Sequence, residues 1–355
     1  MAVSFLAKNK AQKNANRTMY SGMRDKRILI YGDNSQGKTK QTTRIDPDHT
    51  LVLATEKGYT ATALMYPPID ITSARDFKQV VRELTDVKNL EENLNDYHLI
   101  IIDAIDKLND LFTSYVCKQN EVDKINQIPY GQGFVQVRTE IKDCINKLTQ
   151  SGYGIIFIDH AETQDDYTDP VTGEQYPYTM PKATKSKSGE IFKDLADFAI
   201  FLQNNGSDED GNVIPSTAIV SNRKNVFARS RFTKCESSFE FSAENLVNAV
   251  KNAVHEEAKL LGATCVDDFD ESAIIKVRMT EEDQTKKHEA LVKEIQEYGL
   301  ALKEDFGAEC REIMTDVGKL SNTKPSQNNL LERTLERLKD LADQNHITVN
   351  NSNNE

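Results

Sequence analysis

An eight-residue segment, Gly32–Thr39, constrains the fold of this chain more than any other. It matches the pattern G-x-x-x-x-G-K-S/T at every fixed position. Arg27–Tyr31 before it is a short, apolar, β-rich run, and Lys38–Arg44 after it contains neither glycine nor proline. A strand, a glycine-containing loop and a helix start are the context in which this pattern binds a polyphosphate. The segment therefore predicts a nucleotide-binding loop.

The predicted loop would hold phosphates with both backbone and side-chain groups. Its glycines let backbone N–H groups turn inward around the phosphates. Lys38 would reach the β- and γ-phosphates, and the Thr39 hydroxyl would complete a Mg²⁺ shell. We expect ATP and Mg²⁺ as the ligands, although phosphate contacts do not select the base. The predicted nucleotide-binding residues are Gly32, Asp33, Asn34, Ser35, Gln36, Gly37, Lys38, Thr39 and Lys40.

Composition narrows the class of protein. No run of about 18 apolar residues occurs, so we expect no membrane-spanning segment. The five cysteines are scattered and form no C-x-x-C, which favours a reducing cytosol over a disulfide framework. The formal net charge of −12 argues against coating of duplex DNA by bulk attraction. Residues 1–27, however, carry seven Lys or Arg residues and one acidic residue, Asp25. A basic arm that follows a phosphate backbone would have this composition, and so would a disordered tail.

Short apolar runs alternate with helical patterns from Lys26 to about Phe241. Ala74–Leu94 and Gly133–Gln150 predict helices, because their apolar residues recur every three or four positions. Ile-rich strands separated by helices predict an α/β fold with a mostly parallel sheet. Ala161–Glu190 predicts a long loop that includes at most one hairpin. The predicted strands are Arg27–Tyr31, Thr50–Ala54, Ile69–Thr72, His98–Ile102, Gly154–Ile158, Phe198–Leu202 and Thr217–Ser221.

The strand pattern ends near Ala243. Thr280–Leu320 predicts a long amphipathic helix with a break near Gly299 or Gly307, and a second leucine-rich helix follows Pro325. Two such stripes are typical of a packed helical hairpin, and self-association through them is the alternative. We expect a flexible basic arm at 1–24, a nucleotide-binding domain at 25–242, a helical region at 243–345 and a disordered tail at 346–355.

Two carboxylates follow predicted strands. Asp103 ends an Ile-rich run, the pattern that holds Mg²⁺ through water beside a phosphate loop. Asp106 is the fallback for this role, and Asp159 could be mistaken for either. Glu56 follows Thr50–Ala54, where a carboxylate would face the ligand crevice and could activate water. A solvated surface glutamate is the alternative for Glu56.

Three basic side chains complete the candidate set. His160 follows Gly154–Ile158 and could sense the γ-phosphate and pull on the loop after it; a structural histidine is the alternative. Arg223–Phe232 is locally basic, and strand alternation places Arg229 and Arg231 on one face. Two cations there suit a neighbour's γ-phosphate or a nucleic-acid backbone, whereas a solvated edge strand is the alternative.

The order of these segments resembles that of RecA-like ATPases, and more narrowly the compact RecA-like nucleotide-binding proteins of bacteriophages. Some of those phage proteins act as single-strand annealing recombinases alongside a single-strand DNA-binding protein. Ile128–Phe134 is similar to a segment of that group as well. The resemblance covers about residues 25–242 and implies a RecA-like P-loop NTPase core there. The α-helical C-terminal region that the sequence pattern predicts follows this core and lies outside the resemblance.

The resemblance also implies residue roles. Lys38 would be the phosphate ligand, Thr39 and Asp103 the metal ligands, and Glu56 the water-activating base. His160 would be the sensor that heads a second DNA-binding loop, while Lys118–Gly133 would correspond to the first. Arg229 or Arg231 would reach across a subunit interface to the next nucleotide, which implies a homo-oligomer.

We therefore expect an oligomeric Mg²⁺-ATP-dependent ATPase that binds single-stranded DNA in phage recombination or replication, in the cytosol of a bacterial host. A single-strand DNA-binding protein is the further expected partner. One alternative is a P-loop motor or helicase loader. Another is a non-catalytic, nucleotide-gated scaffold that recruits partners through its C-terminal helices.

Overall fold

The chain divides into two units, Met1–Ile274 and Ile275–Glu355. The computed structural model describes residues 18–60, 62–267, 271–303, 306–315, 317–323, 328–345 and 347. Most of the predicted basic arm and of the predicted tail lies outside these residues. In the described part of the chain, we find no helix that is both long and apolar enough to cross a bilayer.

The first unit is built on one large sheet. Its strand order is β11-β9-β8-β2-β6-β5-β3-β4, with β10 beside β8 and β7 beside β6, and β1 pairs separately with β12. The strands are β1 (Thr18–Tyr20), β2 (Arg27–Gly32), β3 (Thr50–Ala54), β4 (Ile69–Asp70), β5 (Leu99–Asp103), β6 (Gly154–Thr168), β7 (Gln175–Pro181), β8 (Phe198–Gln203), β9 (Thr217–Ile219), β10 (Arg229–Ser230), β11 (Ser238–Glu240) and β12 (Thr264–Val266).

Helices connect and cover these strands. The predicted helix at 74–94 is two helices, because Asp86 adopts an extended conformation and its carboxylate accepts a hydrogen bond from the Lys88 amide. The helices are α1 (Lys38–Thr42), α2 (Ala74–Thr85), α3 (Leu90–Asp96), α4 (Ile105–Gln119), α5 (Gln132–Gln150), α6 (Glu190–Leu195), α7 (Ala243–Leu261), α8 (Glu271–Leu302), α9 (Gly307–Met314) and α10 (Asn328–Gln344).

The sheet is mixed, which corrects the prediction of a mostly parallel one. The run β8-β2-β6-β5-β3-β4 is parallel, whereas β9, β10 and β11 pair antiparallel at one edge and β7 pairs antiparallel with β6. Antiparallel neighbours need only a short reversal of the chain, whereas parallel ones need a crossover. An apolar run reveals a buried strand but not the direction of its neighbour.

The hydrophobic core of the first unit explains why this unit extends beyond residue 242. One face of the sheet, which includes Ile30 and Val52, packs against Leu246 and Val250 of α7. α7 begins where the Ser242 hydroxyl accepts a hydrogen bond from the Asn245 amide. Burial of this apolar stripe attaches α7 to the sheet, so α7 belongs to the first unit, which extends to Ile274. The domain boundary predicted from the sequence is at 242.

The expected loop at 161–190 contains a long hairpin. β6 runs through His160 and continues to Thr168, where the turn is closed by Asp169, whose carboxylate accepts hydrogen bonds from two turn amides. β7 returns beside it. The rings of Tyr167 and Tyr178 stack on the hairpin with their centroids 4.4 Å apart.

The second unit has its own apolar core. The predicted helix at 280–320 is broken, because α8 ends at Leu302 and α9 begins at Gly307. Leu291 and Ile295 of α8 lie buried against Leu331, Leu335 and other α10 side chains. The stripes therefore pack with one another, as a helical hairpin predicts.

Candidate nucleotide-binding site

Four parallel strands end at the same edge of the sheet. β2, β6, β5 and β3 are neighbours in this order, so β6 lies between the strand before the loop and the strand that ends in Asp103. Gly32 is the register partner of His160, and Ala54 is that of Asp103. The residues that follow these strands, including Glu56, therefore surround the loop, as the sequence predicts.

The loop at Gly32–Thr39 has little space near its first glycine. A Cβ on Gly32 would lie 2.0 Å from Gln36 Oε1 and 3.1 Å from the Leu202 carbonyl oxygen. The Gln36 side chain is buried, and its amide atoms have no hydrogen-bond partner among the described residues. Asp33, Asn34, Ser35 and Lys40 are exposed. A buried amide without a protein partner is consistent with a loop shaped around a polar ligand.

Lys38 folds back on its own loop. Its Nζ donates hydrogen bonds to the carbonyl oxygens of Gly32, at 2.8 Å, and Asp33, at 2.6 Å. Burial lowers the pKa of Lys38, although Asp103 and Asp159 oppose the shift. The ammonium group is thus a buried cation held by neutral acceptors, which a phosphate could replace.

Thr39 and Asp103 meet beside the loop. The Thr39 hydroxyl donates to Asp103 Oδ2 at 2.5 Å, and a Cβ on Gly58 would lie 3.9 Å from both oxygens. Asp103 is buried, and desolvation raises the pKa of its carboxyl group. A hydroxyl and a carboxylate are hard oxygen donors of the kind that Mg²⁺ prefers. These residues fit the metal that the motif implies.

The position of Asp103 depends on Thr55, which the sequence did not single out. The Thr55 amide donates to the Asp103 carbonyl oxygen at 2.7 Å. Its hydroxyl donates to the Ala104 carbonyl oxygen and accepts from the Ala104 amide, both at 2.8 Å. Thr55 therefore ties the end of β5 to the residue next to Glu56. The sequence signal that could have identified Thr55 is a hydroxyl residue between a predicted strand and a candidate base.

A chain of charged groups links Glu56 to the base of the hairpin. His160 Nε2 lies 3.4 Å from Glu56 Oε1, and His160 Nδ1 lies 3.4 Å from Asp106 Oδ1. Lys182 Nζ lies 2.9 Å from Asp106 Oδ2. Contact with Asp106 raises the pKa of His160. Burial disfavours the Asp106 carboxylate, but His160 and Lys182 outweigh it and hold the pKa of Asp106 far below its ordinary value.

The three candidate metal carboxylates have different surroundings. Asp103 contacts Thr39, whereas Asp106 faces His160 and Lys182. Asp159 is fully buried and accepts hydrogen bonds from the amides of His160 and Ala183, each at 2.9 Å. Burial raises the pKa of Asp159 to about 8. Asp103 is therefore the carboxylate placed beside the loop.

A family model described as an AAA domain matches residues 24–232. The chain belongs to this family of P-loop ATPase domains. The match contains every candidate site residue, from Gly32 to Arg231. The chain is also similar to the SPbeta prophage-derived uncharacterized protein YorG of Bacillus subtilis (strain 168). The two are 34% identical over 333 residues, which cover 90% of this chain and 94% of YorG.

Arg229 and Arg231 lie at another corner of the AAA domain. β10 pairs with the beginning of β8, where Arg229 is the register partner of Ala199, whereas Gly32 pairs with Leu202 near the end of β8. The Arg229 guanidinium donates to the carbonyl oxygens of Lys193 and, at 3.2 Å, Ala196.

Arg231 makes related contacts. It donates to the Asp194 carbonyl oxygen at 2.7 Å, and its guanidinium lies 3.1 Å from the Asp197 carboxylate. Both arginines therefore bind the end of α6 within this chain. The structure does not bring them to the chain's own phosphate loop, and a role at a neighbour's nucleotide stays a prediction.

The segment expected to be a first DNA-binding loop, Lys118–Gly133, is partly ordered by short helical turns. Ile128 is buried, and 3-10 turns occur at Ile125–Gln127 and Pro129–Gly131. Tyr130 has a positive φ of 57° and is 98% exposed. The AAA domain thus presents an aromatic ring to solvent just before α5.

Proposed function

We propose that this AAA domain is a Mg²⁺-dependent ATPase that couples nucleotide turnover to single-stranded DNA in phage recombination or replication. The observation that carries the proposal is the convergence of Lys38, Thr39, Asp103, Glu56 and His160 at the carboxyl ends of four adjacent strands. The prophage origin of YorG supports the phage setting.

Binding of ATP requires Lys38 to exchange its carbonyl partners for phosphate oxygens. The new contacts are ion pairs in a buried site, so they are stronger than the neutral contacts that they replace. Thr39 and Asp103 would hold the metal, and Mg²⁺, when bound, would neutralise charge on the β- and γ-phosphates. The inward amides of Gly32–Lys38 would orient the phosphate chain.

Glu56 would activate water. Its side chain is partly exposed, and its contact with His160 holds it at the edge where the phosphates would end. A water oxygen would attack the γ-phosphorus while Glu56 takes its proton and the bond to the β-phosphate oxygen breaks. Lys38 stabilises the negative charge that develops on the phosphate oxygens.

His160 would transmit the state of the site to the hairpin. It contacts Glu56 on one side and Asp106 on the other, and it belongs to the strand that forms the hairpin. Release or gain of a γ-phosphate would change the charge next to this chain of contacts. The RecA-like arrangement, contact of the hairpin with single-stranded DNA, a single-strand DNA-binding protein as partner and a homo-oligomer all belong to this proposal.

ATP turnover without DNA, with single-stranded DNA and with duplex DNA tests the function. We expect single-stranded DNA to increase turnover most. Glu56→Gln should lower turnover by about 10²- to 10⁴-fold and leave ATP binding intact, because it removes a proton acceptor and no phosphate ligand. Lys38→Ala should abolish ATP binding, and Glu91→Gln, on the exposed surface of α3, should change neither quantity.

Equal turnover under the three DNA conditions would contradict the DNA-dependent ATPase, and unchanged turnover of Glu56→Gln would show that the base is misassigned. Directional movement along DNA would instead favour a motor or helicase loader.

A nucleotide-gated scaffold is the second candidate. It is favoured by the helical unit Ile275–Glu355, which has its own core and lies beyond the matched residues 24–232. ATP binding without turnover under every DNA condition would select this candidate.

A further inference from the structure

Three metal-ligating side chains meet at the edge of the sheet opposite the phosphate loop. His49 directly precedes β3, and His98 directly precedes the parallel neighbour β5. Asp46 lies in the segment between α1 and β3. Asp103 lies five positions after His98 along β5. Because a strand rises by about 3.3 Å per residue, about 16 Å separates this cluster from the nucleotide site.

The Asp46 carboxylate joins the two imidazoles. Its Oδ1 lies 2.9 Å from His49 Nδ1, and its Oδ2 lies 2.9 Å from His98 Nδ1. One potential ligand atom from each of the three residues lies within 4.8 Å of the other two. Tetrahedral Zn²⁺ with bonds near 2.0–2.1 Å separates its ligand atoms by about 3.3 Å. Side-chain rotations alone would therefore suit these atoms to one ion.

The backbone beneath the cluster is fixed. The His98 amide donates to the His49 carbonyl oxygen at 2.8 Å. The Asp46 carbonyl oxygen accepts from the His49 amide at 3.2 Å and from the Thr50 hydroxyl at 2.6 Å. The three side chains are between 27% and 39% exposed. A rigid base with accessible side chains leaves an open coordination position for water.

The two rings also stack, with centroids 4.2 Å apart and planes inclined by 17°. A neutral imidazole is the form that binds metals. Two imidazoles and one carboxylate suit Zn²⁺ and related transition metals, whereas Mg²⁺ prefers oxygen ligands alone.

We propose that Asp46, His49 and His98 bind one divalent transition-metal ion of the Zn²⁺ class, with water as the remaining ligand. The ion would take the place of the Nδ1 protons, each ring would carry its single proton on Nε2 instead, and the ion would join the Asp46 segment to the starts of β3 and β5. The site goes beyond the proposed ATPase and does not depend on it.

Calorimetric titration of the full-length protein with ZnCl₂, in millimolar Mg²⁺, tests the site. We expect one Zn²⁺ ion per chain. His49→Gln or His98→Gln should weaken its binding by more than about 100-fold, because loss of even an outer partner of a metal ligand costs 10- to 100-fold. His255→Gln is the matched control, since Asp267, at 3.9 Å, is the one carboxylate that pairs with His255 among the residues that the structure describes.

Substitution with Co²⁺ identifies the ligands. The proposed site should give the visible bands of a four-coordinate ion without a thiolate-to-metal charge-transfer band. These visible bands should be absent in His98→Gln. Absence of Zn²⁺ binding, equal binding by His98→Gln, or thiolate ligation would overturn the proposal. Asp46→Asn is a second ligand variant, and retained ATP-analogue binding verifies that the variant sheets are folded.

Discussion

Asp159→Asn tests whether a buried carboxyl group beneath the nucleotide site is neutral. Asp159 is fully buried on β6 and accepts hydrogen bonds from the amides of His160 and Ala183. Burial raises the pKa of Asp159 to about 8, against an ordinary value of 3.8. At pH 6 the folded protein therefore holds a proton that the unfolded chain has lost.

The sign and the size of the effect follow from linkage. A raised pKa in the folded state gives stability that is complete at low pH and is lost as the pH rises through about 8. Between pH 6 and pH 8 the wild type should lose about 2 kcal/mol of unfolding free energy through this group. Asparagine cannot ionise, but it loses one acceptor for a buried amide, which costs about 1–3 kcal/mol. The variant should be less stable than the wild type at pH 6. The difference in unfolding free energy between the two proteins should shrink by about 2 kcal/mol at pH 8.

Urea unfolding followed by pulsed hydrogen exchange and mass spectrometry measures this difference. The peptide that contains Gly154–Ile158 reports on unfolding of the sheet alone. A signal from the whole chain would combine unfolding of the sheet with unfolding of the helical unit. Asp76→Asn is the control. The Thr72 hydroxyl lowers the pKa of Asp76, so the Asp76 carboxylate is ionised in the folded and in the unfolded protein. The difference in unfolding free energy between Asp76→Asn and the wild type should therefore be the same at pH 6 and pH 8. A gap for Asp159→Asn that is equal at pH 6 and pH 8 would show that the two amides keep Asp159 ionised.

Three further substitutions separate binding from stability. Gly32→Ala should weaken binding of a fluorescent ATP analogue, because its Cβ would displace the Gln36 side chain and lie 3.1 Å from the Leu202 backbone carbonyl oxygen, whereas Gly299→Ala, with open space around it, should retain binding. Arg229→Ala should lower the unfolding free energy of the sheet unit by about 1–3 kcal/mol, because it removes the donor to the partly buried carbonyl oxygens of Lys193 and Ala196. Normal stability with reduced ATP turnover would instead support action on a neighbouring subunit. Leu331→Ala, at a fully buried position, should cost the helical unit about 2–5 kcal/mol in urea unfolding and leave ATP binding unchanged.

The central strands could be predicted because burial on both faces leaves a continuous apolar run. Thr50–Ala54 has the same bounds in the sequence analysis and in the structure. The continuation of β6 to Thr168 could not be recognised, since its polar residues become a strand only by pairing with β7. The direction of the outer strands likewise depends on pairing that no local pattern records.

The site divides in the same way. The spacing of the loop motif placed Lys38 and Thr39 together, and strand ends brought Asp103 close to Thr39. Lys182 reaches Asp106 only because the hairpin turns back, so local sequence could not pair them. The histidine cluster was missed, although His49 directly precedes one predicted strand and His98 begins another. Reasoning about residues that follow parallel strands applies equally to residues that precede them.

The hairpin has a mechanical consequence. β6 is one strand of 15 residues, and the end of this strand, Thr168, lies eight positions after His160. At about 3.3 Å per residue the tip lies roughly 25 Å from the histidine, so a tilt of about 5° there would carry it about 2 Å. Under the proposed coupling, the strand would act as a lever with its short arm at His160, and the length of the hairpin would set the size of the movement at the tip. Shortening the hairpin would therefore reduce the stroke in proportion and leave the chemistry at the short arm in place.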